Sequence, residues 1–161
     1  MLTVEEYRSE FLSYLENFES PTNPKNLYEP VSYILGLKGK RIRPILTLLT
    51  CDIFNDNHKD ALDAALAVEV FHNFSLVHDD INDGATHRRG IPTIHETAGL
   101  SKAIIAGDWL FVQGYALGGR YDQEIVTIIG NYCSEIAVSE FSQIDHINNL
   151  RTTPEDYLNI V

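Results

Sequence analysis

The sequence predicts an all-α fold, and three features of it support this prediction. Almost every segment carries apolar residues at the three- and four-residue spacing of a helix face. Helix-start signals recur, as where Thr3 is followed by Glu6. The alternation of apolar and polar residues that is typical of half-buried strands is missing. We therefore expect residues 1–161 to form a single helical domain.

Capping and breaking residues bound the predicted helices. Thr3 and Glu6 form a capping box at the first helix, and Pro21 and Pro24 break the chain after it. Pro44 lies at a helix start, where a missing N–H costs no intrahelical bond. Thr153 and Asp156 bracket a last helix that begins at Pro154 and presents Tyr157, Ile160 and Val161 on an apolar face. The helices are predicted at about 3–18, 27–37, 44–54, 60–83, 101–117, 123–146 and from 154 onward.

The segment from about Asp60 to Asp83 differs from the other helices in having no polar face. It consists mostly of Ala, Leu, Val and Phe. A helix that is apolar all round is buried, so we expect it at the centre of the fold. Gly84 ends it, and a loop containing Arg88–Pro92 follows.

Composition excludes several classes of protein. Hydrophobic residues make up 44% of the chain and charged residues 22%, which is typical of a globular domain. The net charge of −11 argues against nucleic acid or an anionic membrane as the main partner. No secretory signal is found, and no apolar stretch approaches the ~20 residues that span a bilayer. We expect a soluble, cytoplasmic protein with Cys51 and Cys133 as buried free thiols.

An acidic motif, Asp79-Asp80-Ile81-Asn82-Asp83, lies at the end of the predicted central helix. At helical spacing Asp79 and Asp83 share one face, and two carboxylates held that close repel each other. A divalent cation removes this repulsion, and magnesium takes one or two protein carboxylates together with water and phosphate oxygens. The alternative is a solvated acidic helix end, although acidic residues there oppose the helix dipole.

Basic residues concentrate in two segments of this acidic chain, Lys38–Arg43 and Arg88–Arg89. Lys40 and Arg43 lie just before and at the start of a predicted helix, where backbone N–H groups also attract an anion. Arg43 can hold phosphate oxygens with a bidentate fork. The alternatives are an ordinary basic turn for the first segment and charge balance for the aspartates for the second. Together the two segments favour a site for a small anion.

The order and spacing of these motifs resemble those of the trans-isoprenyl diphosphate synthases, also called polyprenyl synthetases. The resemblance runs from about Tyr28 to the last residue. It rests on Gly39–Pro44 (GKRIRP), His72 ahead of Asp79–Asp83 (DDIND), Arg88–Thr93 (RRGIPT) and, as a lesser match, Gly107-Asp108. It implies the isoprenoid synthase helical bundle around a central cavity, of which this chain would be the N-terminal half.

The resemblance also implies a function and the residues that perform it. The family condenses an allylic diphosphate with isopentenyl diphosphate in isoprenoid biosynthesis, and its members are usually homodimers. The implied ligands of isopentenyl diphosphate are Lys40, Arg43, His72 and Arg89. The implied catalytic group is Asp79 and Asp83, which bind Mg²⁺ with Asp80 assisting, and Arg88, which contacts the allylic diphosphate. Outside this context, His72 would be interpreted as a core histidine.

Phe74 lies five residues before Asp79, one helical turn deeper. The resemblance implies that bulk at this level limits how far the product can grow. We therefore expect products in the farnesyl to geranylgeranyl range.

Two departures from the family pattern lead to further expectations. Phe141 and Ser142 stand where the family has Gly and Gln, and the second aspartate-rich motif and the Lys-Thr pair are missing. We expect a truncated prenyltransferase chain with little or no activity alone. The alternative is a non-catalytic subunit or diphosphate-binding module that pairs with a full-length synthase. A helical interaction protein without a ligand would leave the charged motifs unexplained.

Overall fold

The computed structural model describes residues 1–18, 21–149 and 153–160. The chain divides into two compact units, Met1–Arg120 and Tyr121–Val161. The all-α prediction is confirmed, since the described residues outside the helices hold one short hairpin. The helices are α1 (Val4–Glu16), α2 (Lys25–Leu35), α3 (Ile42–Asn55), α4 (Leu62–Asn82), α5 (Ile94–Ala98), α6 (Leu100–Gly118), α7 (Gln123–Asn149) and α8 (Pro154–Ile160).

Helix α4 lies at the centre of the first unit, as its apolar sequence predicts. It packs mainly against α6, and also against α1, α2, α3 and α5. Leu66, Val70 and Val77 are almost fully buried. The predicted first turn of this helix is instead a 3₁₀ turn, His58–Ala61, and Asp83 follows the last helical residue as its C-cap.

Small residues on α6 bring it close to α4. Ala103, Gly107 and Gly114 recur on the buried face of α6 at helical spacing. A Cβ on Gly114 would lie 2.7 Å from ring carbons of Phe71 on α4. The two helices therefore approach to a separation that only small side chains on α6 allow.

A buried polar cluster attaches α1 to the unit. The capping box of Thr3 and Glu6 is present as predicted, although the helix ends at Glu16 rather than near residue 18. The Tyr7 side chain is fully buried, and its hydroxyl donates to Asp52 at 2.5 Å. This hydrogen bond holds the pKa of Asp52 below its ordinary range. Helix α1 is therefore held to α3 by this hydrogen bond as well as by the packing of its apolar face.

The loop after α4 contains a short antiparallel hairpin that the sequence analysis did not predict. Its strands are β1 (His87–Arg88) and β2 (Ile91–Pro92). The turn residues Arg89 and Gly90 both have positive φ, 55° and 81°, as tight two-residue hairpin turns require. Adjacent Arg88 and Arg89 consequently reach different neighbours.

The second unit consists of α7 and α8. The predicted box at the start of α8 is confirmed, because Thr153 N–H donates to Asp156 at 2.8 Å and the Asp156 N–H donates back to the Thr153 hydroxyl at 3.2 Å. On the predicted apolar face Tyr157 is 60% exposed, whereas the Ile160 and Val161 side chains lie outside the described residues.

Within the described residues Cys51 and Cys133 are not joined by a disulfide, and both are half-buried, whereas the sequence predicts buried thiols. None of the helices in the described part of the chain has the length and apolar character needed to cross a membrane.

Candidate anion site and acidic cluster

A basic cavity of about 580 Å³ lies beside the start of α3. Its walls come from α1, from the loop before α3, from α4 and from the hairpin. Its basic lining side chains, apart from the buried Arg41, are Arg8, Lys38, Lys40, Arg43 and Arg89, with His72 beside them. This is a marked local concentration of positive charge on a chain of net charge −11.

Arg41 does not contribute free charge to the cavity, because it is buried and paired. Its guanidinium contacts Glu69 of α4 and donates to the carbonyls of Leu35 and Leu37 at 2.8 and 2.7 Å. Asn73 supports Glu69 from the next turn, at 3.2 Å from its carboxylate. The ion pair attaches the loop before α3 (residues 36–41, called the basic loop below) to the central helix α4. It leaves the neighbouring cations uncompensated.

The four exposed cations that line the cavity have no such carboxylate partner in the described part of the chain. Within the described ranges, Lys38, Lys40, Arg43 and Arg89 form no ion pair with a carboxylate. Cations that repel one another around one cavity are unfavourable unless an anion is bound between them. The arrangement therefore suits a small, multiply charged anion such as a phosphate ester.

Gly39 lets the hairpin approach the basic loop. A Cβ at this position would lie 2.7 Å from Nη1 of Arg89. The same Arg89 nitrogen donates to the Lys38 carbonyl at 2.8 Å. The absence of a side chain at residue 39 thus allows a guanidinium from a segment 50 residues further on to join the cavity wall.

His72 of α4 is half-buried in the cavity wall, with its Nε2 3.5 Å from Nη1 of Arg43. Burial lowers the pKa of the His72 imidazole below its ordinary value, and the positive charge of Arg43 lowers it further. The ring is therefore mainly neutral at pH 7 and can accept or donate one hydrogen bond. A negatively charged ligand would favour its protonation.

The acidic cluster at the end of α4 includes an arginine. Arg88 of the hairpin donates to Asp80 at 2.8 Å and to Asp79 at 3.0 Å. Asp80 is buried, and burial raises the pKa of its carboxyl despite the adjacent Arg88. Asp79 is half-buried and Asp83 is exposed. The cluster is therefore more than a solvated helix end, and charge balance by Arg88 is part of it.

Asp79 and Asp83 are the residues of this cluster that fit a magnesium ion. They are one helical turn apart, both reach solvent, and two carboxylates are sufficient when water and ligand oxygens complete the octahedron. In the described part of the chain no three His, Cys, Asp or Glu side chains are grouped as a complete metal site. Any metal held here would need oxygens from outside the protein.

The predicted site residues thus form two neighbouring clusters. Lys40, Arg43, His72 and Arg89 line the basic cavity together. Asp79, Asp80 and Asp83 do not line this cavity. The hairpin connects the clusters, because Arg88 contacts the aspartates and Arg89 contacts the basic loop.

Sequence reasoning missed two participants in the site. Arg8 of α1 lines the cavity, although no motif surrounds it in the sequence. Glu69 has a recognisable signal, because it is the single acidic residue between Asp63 and Asp79 in an apolar helix. A lone carboxylate in such a helix requires a partner, and Arg41 supplies it.

Aromatic rings form a row between α4 and α6 near the acidic end of α4. Phe74 packs against Phe111, with ring centroids 4.9 Å apart, and against His78 at the same separation. Phe71 and Tyr115 continue the row with edge contacts to Phe111. Phe74 is half-buried and is the phenylalanine of the row that lies nearest to Asp79 along α4.

Comparison with known proteins agrees with this architecture and with the sequence motifs. Residues 24–161 match the family described as polyprenyl synthetase, and the chain belongs to this family. It is 34% identical over 146 residues to a geranylgeranyl diphosphate synthase of Methanosarcina mazei, covering 87% of this chain and 45% of that protein. It is 32% identical to a geranylgeranyl pyrophosphate synthase of Geoglobus acetivorans, covering 91% of this chain and 48% of the relative.

Solved structures show the same relationship. A crystal structure of a geranylgeranyl pyrophosphate synthase superposes with a TM-score of 0.95 and 37% identity, covering 100% of this chain and 50% of the other. The chain therefore spans about half the length of the relatives that it matches.

Proposed function

We propose that this chain provides the isopentenyl-diphosphate site and the first metal site of a prenyltransferase that elongates allylic diphosphates. The observation that carries this proposal is the set of uncompensated cations, Lys38, Lys40, Arg43 and Arg89, around one cavity of a strongly acidic protein. Membership of the polyprenyl synthetase family supports it. Relatives that are 34% and 32% identical to the chain are named geranylgeranyl diphosphate synthase and geranylgeranyl pyrophosphate synthase.

The basic cavity is the proposed site for isopentenyl diphosphate. Arg43 and Arg89 offer planar N–H forks to phosphate oxygens, and Lys40 adds a compact positive charge. His72 completes the wall and can change its protonation when the ligand charge arrives. Because Arg41 is neutralised by Glu69, the charge that holds the ligand comes from the exposed cations alone.

The acidic end of α4 is the proposed site for the allylic diphosphate. Asp79 and Asp83 would hold Mg²⁺, and when bound the ion would stabilise negative charge on the diphosphate leaving group. Arg88 is already directed at this helix end by its contacts with Asp79 and Asp80, so it can exchange a carboxylate for a phosphate oxygen. The apolar row that includes Phe74 would shield the growing chain from water.

Phe74 is the proposed limit to product length. In an active synthase containing these residues, Phe74→Ala should yield longer products, because it removes the phenylalanine ring of the row that lies nearest to Asp79 along α4. Product chain length measured by chromatography checks this, with Tyr132→Ala on the exposed surface of α7 as a control. An unchanged product distribution in the Phe74 variant would contradict the assignment.

A second candidate is a diphosphate-binding module that pairs with a full-length synthase. Phe141 and Ser142 favour it, since the family motif has Gly and Gln at these positions, and Phe141 is 67% exposed on α7. Turnover of isopentenyl diphosphate and an allylic diphosphate by a longer form of the chain would favour the enzyme over the binding module.

We further propose that the protein is cytoplasmic and forms a homodimer. Light scattering of the purified protein would test the dimer.

Titration calorimetry of the 161-residue chain with isopentenyl diphosphate tests the cavity assignment. We expect saturable binding, with Arg43→Gln weakening it on the order of tenfold through loss of a charged hydrogen bond. Lys25→Gln is the matched control, because Lys25 is an exposed cation paired with Glu29 on α2, outside the cavity. Equal affinity in the Arg43 variant and the control would remove the cavity from the proposal.

A second titration tests the acidic site. An allylic diphosphate analogue should bind only when Mg²⁺ is present, and Asp79→Asn should abolish the effect of the metal. Magnesium-independent binding that Asp79→Asn leaves unchanged would contradict the assignment of a metal to this helix end.

A further inference from the structure

Arg8 of α1 reaches the basic cavity from outside the motifs that define the family. It lies before residues 24–161, the part of the chain that matches the family. Its side chain lines the cavity together with the loop before α3. One terminal nitrogen, Nη2, donates to the Gly39 carbonyl at 3.3 Å. Arg8 therefore belongs to the wall of the proposed diphosphate site through a contact 31 residues away in sequence.

The donors of Arg8 are poorly used within the protein. Its contact with Glu5 is 3.7 Å long and made to a side chain that is 79% exposed, where water weakens an ion pair. Its Nε is buried, and no hydrogen-bond partner for it is found among the described residues. A buried N–H without a partner is unfavourable, and an anion in the cavity could relieve it.

Gly39 brings two guanidinium groups to the same wall. Its carbonyl accepts from Arg8, and its missing side chain makes room for Arg89. The two arginines come from α1 and from the hairpin, and both flank one residue of the basic loop. Like charges that close together favour a bound anion between or beside them.

Helix α1 holds Arg8 in place before any ligand arrives. The neighbouring Tyr7 is fully buried and bonded to Asp52, and Phe11 one turn later is also fully buried. The backbone at residue 8 is therefore fixed relative to α3 and α4. A cation that is already positioned loses little conformational freedom when it binds a ligand.

We propose that Arg8 binds the diphosphate of the ligand in this cavity, so that helix α1 is part of the substrate site. This inference rests on the proposed function of the cavity. It adds to the motif residues a cation that the family pattern does not include.

Calorimetry with isopentenyl diphosphate and with inorganic diphosphate tests the proposal on the 161-residue chain. Arg8→Gln removes the charge and the terminal nitrogens, and keeps the aliphatic stem with a neutral polar end. We expect it to weaken both ligands on the order of tenfold, as the loss of a charge-assisted hydrogen bond does. Arg8→Lys should recover part of the affinity, because it restores the charge without the fork. The melting temperature without ligand should stay close to that of the wild type.

The outcomes separate this inference from the proposed function. If Arg43→Gln weakens binding while Arg8→Gln matches the Lys25→Gln control, Arg8 has no role and the cavity assignment stands. If the wild-type chain binds neither diphosphate, both are overturned. An Arg8→Gln variant that loses affinity only in proportion to a lowered melting temperature would also overturn the proposal, because the role would then be structural.

Discussion

At the scale of single residues, the pair Arg41 and Glu69 explains how a crowded basic loop can be stable. Arg41 has positive φ (53°), which is uncommon for a residue with a side chain. Its buried contact with Glu69 and its bonds to two carbonyls compensate for that conformation. The pair also fixes the nearby residues Lys40 and Arg43 without using their charge.

Removing one partner of this pair should destabilise the protein strongly. Arg41→Met leaves Glu69 buried without a counter-charge, so we expect the free energy of unfolding to fall by about 3–5 kcal/mol. Urea unfolding followed by circular dichroism measures the change. In the double variant with Glu69→Leu most of the loss should return, because no buried charge remains. Equal instability of the single and double variants would show that the carbonyl contacts, not the charges, dominate.

His72 makes a pH dependence predictable at the same scale. Its pKa is lowered in the folded protein, so the neutral ring contributes stability above pH 6.5 that is lost as the pH falls through the folded pKa. A bound diphosphate acts in the opposite direction by favouring the charged ring. We expect binding of isopentenyl diphosphate to take up protons at mildly acidic pH, and His72→Gln to remove the part of this uptake that the imidazole supplies.

Calorimetry in two buffers of different ionisation enthalpy measures that uptake. The ligand also titrates, and subtraction of the His72→Gln result removes its contribution. Proton uptake of the same size in the wild type and the variant would exclude His72 from the ligand's surroundings.

At the scale of elements, the contact between α4 and α6 depends on glycine. Gly107 and Gly114 lie where a Cβ would enter the rings of His78 and Phe71. Close approach of the helices brings Phe111 of α6 against Phe71 and Phe74 of α4 and so forms the aromatic row. The small residues of α6 are therefore part of how the site is built.

Gly114→Ala should destabilise the fold by about 1–3 kcal/mol through overpacking against Phe71. A loss of stability would be informative, because helix propensity alone favours Ala over Gly by about 1 kcal/mol and would make the substitution stabilising. Chemical unfolding measures the effect. In a Phe71→Leu background the same substitution should cost less, and a stabilising Gly114→Ala would show that the helices are not in tight contact there.

The elements also show what sequence can and cannot predict. Helix α4 was predictable because apolar residues recur on all of its faces, and its acidic end was predictable because the charges break that pattern. The hairpin was not predictable from the sequence, because strands of two residues show no alternation of apolar and polar residues and its turn places Arg89 at positive φ. The place of Arg8 in the cavity was not predictable either, because it depends on a contact with Gly39, which is distant in the sequence.

At the scale of the whole molecule, charge and apolar surface are distributed unevenly. The chain is strongly acidic, yet its cavity is basic, so an anion is repelled by most of the surface and attracted at one place. Helix α3 exposes a set of large apolar side chains, with Ile42, Leu46 and Ile53 each more than half exposed and Phe54 84% exposed. Helix α7 separately exposes Tyr132, Ile136, Val138 and Phe141.

Such surfaces favour association, so the 161-residue chain should self-associate as its concentration rises. Light scattering should show a mass that grows with concentration, and a hydrophobic dye should bind strongly. Leu46→Glu and Phe54→Glu on α3 should reduce both effects, whereas Lys25→Glu should not. A monodisperse monomer that binds no dye would contradict this prediction.

The hairpin connects the two proposed ligand sites, the acidic end of α4 and the basic cavity. Its two adjacent arginines contact different groups, Arg88 the aspartates of α4 and Arg89 the loop at Gly39. A rotation of the turn cannot alter one of these contacts without disturbing the other. A ligand bound at the aspartates should thus change the affinity of the basic cavity for a second ligand, so that the two proposed sites are energetically coupled.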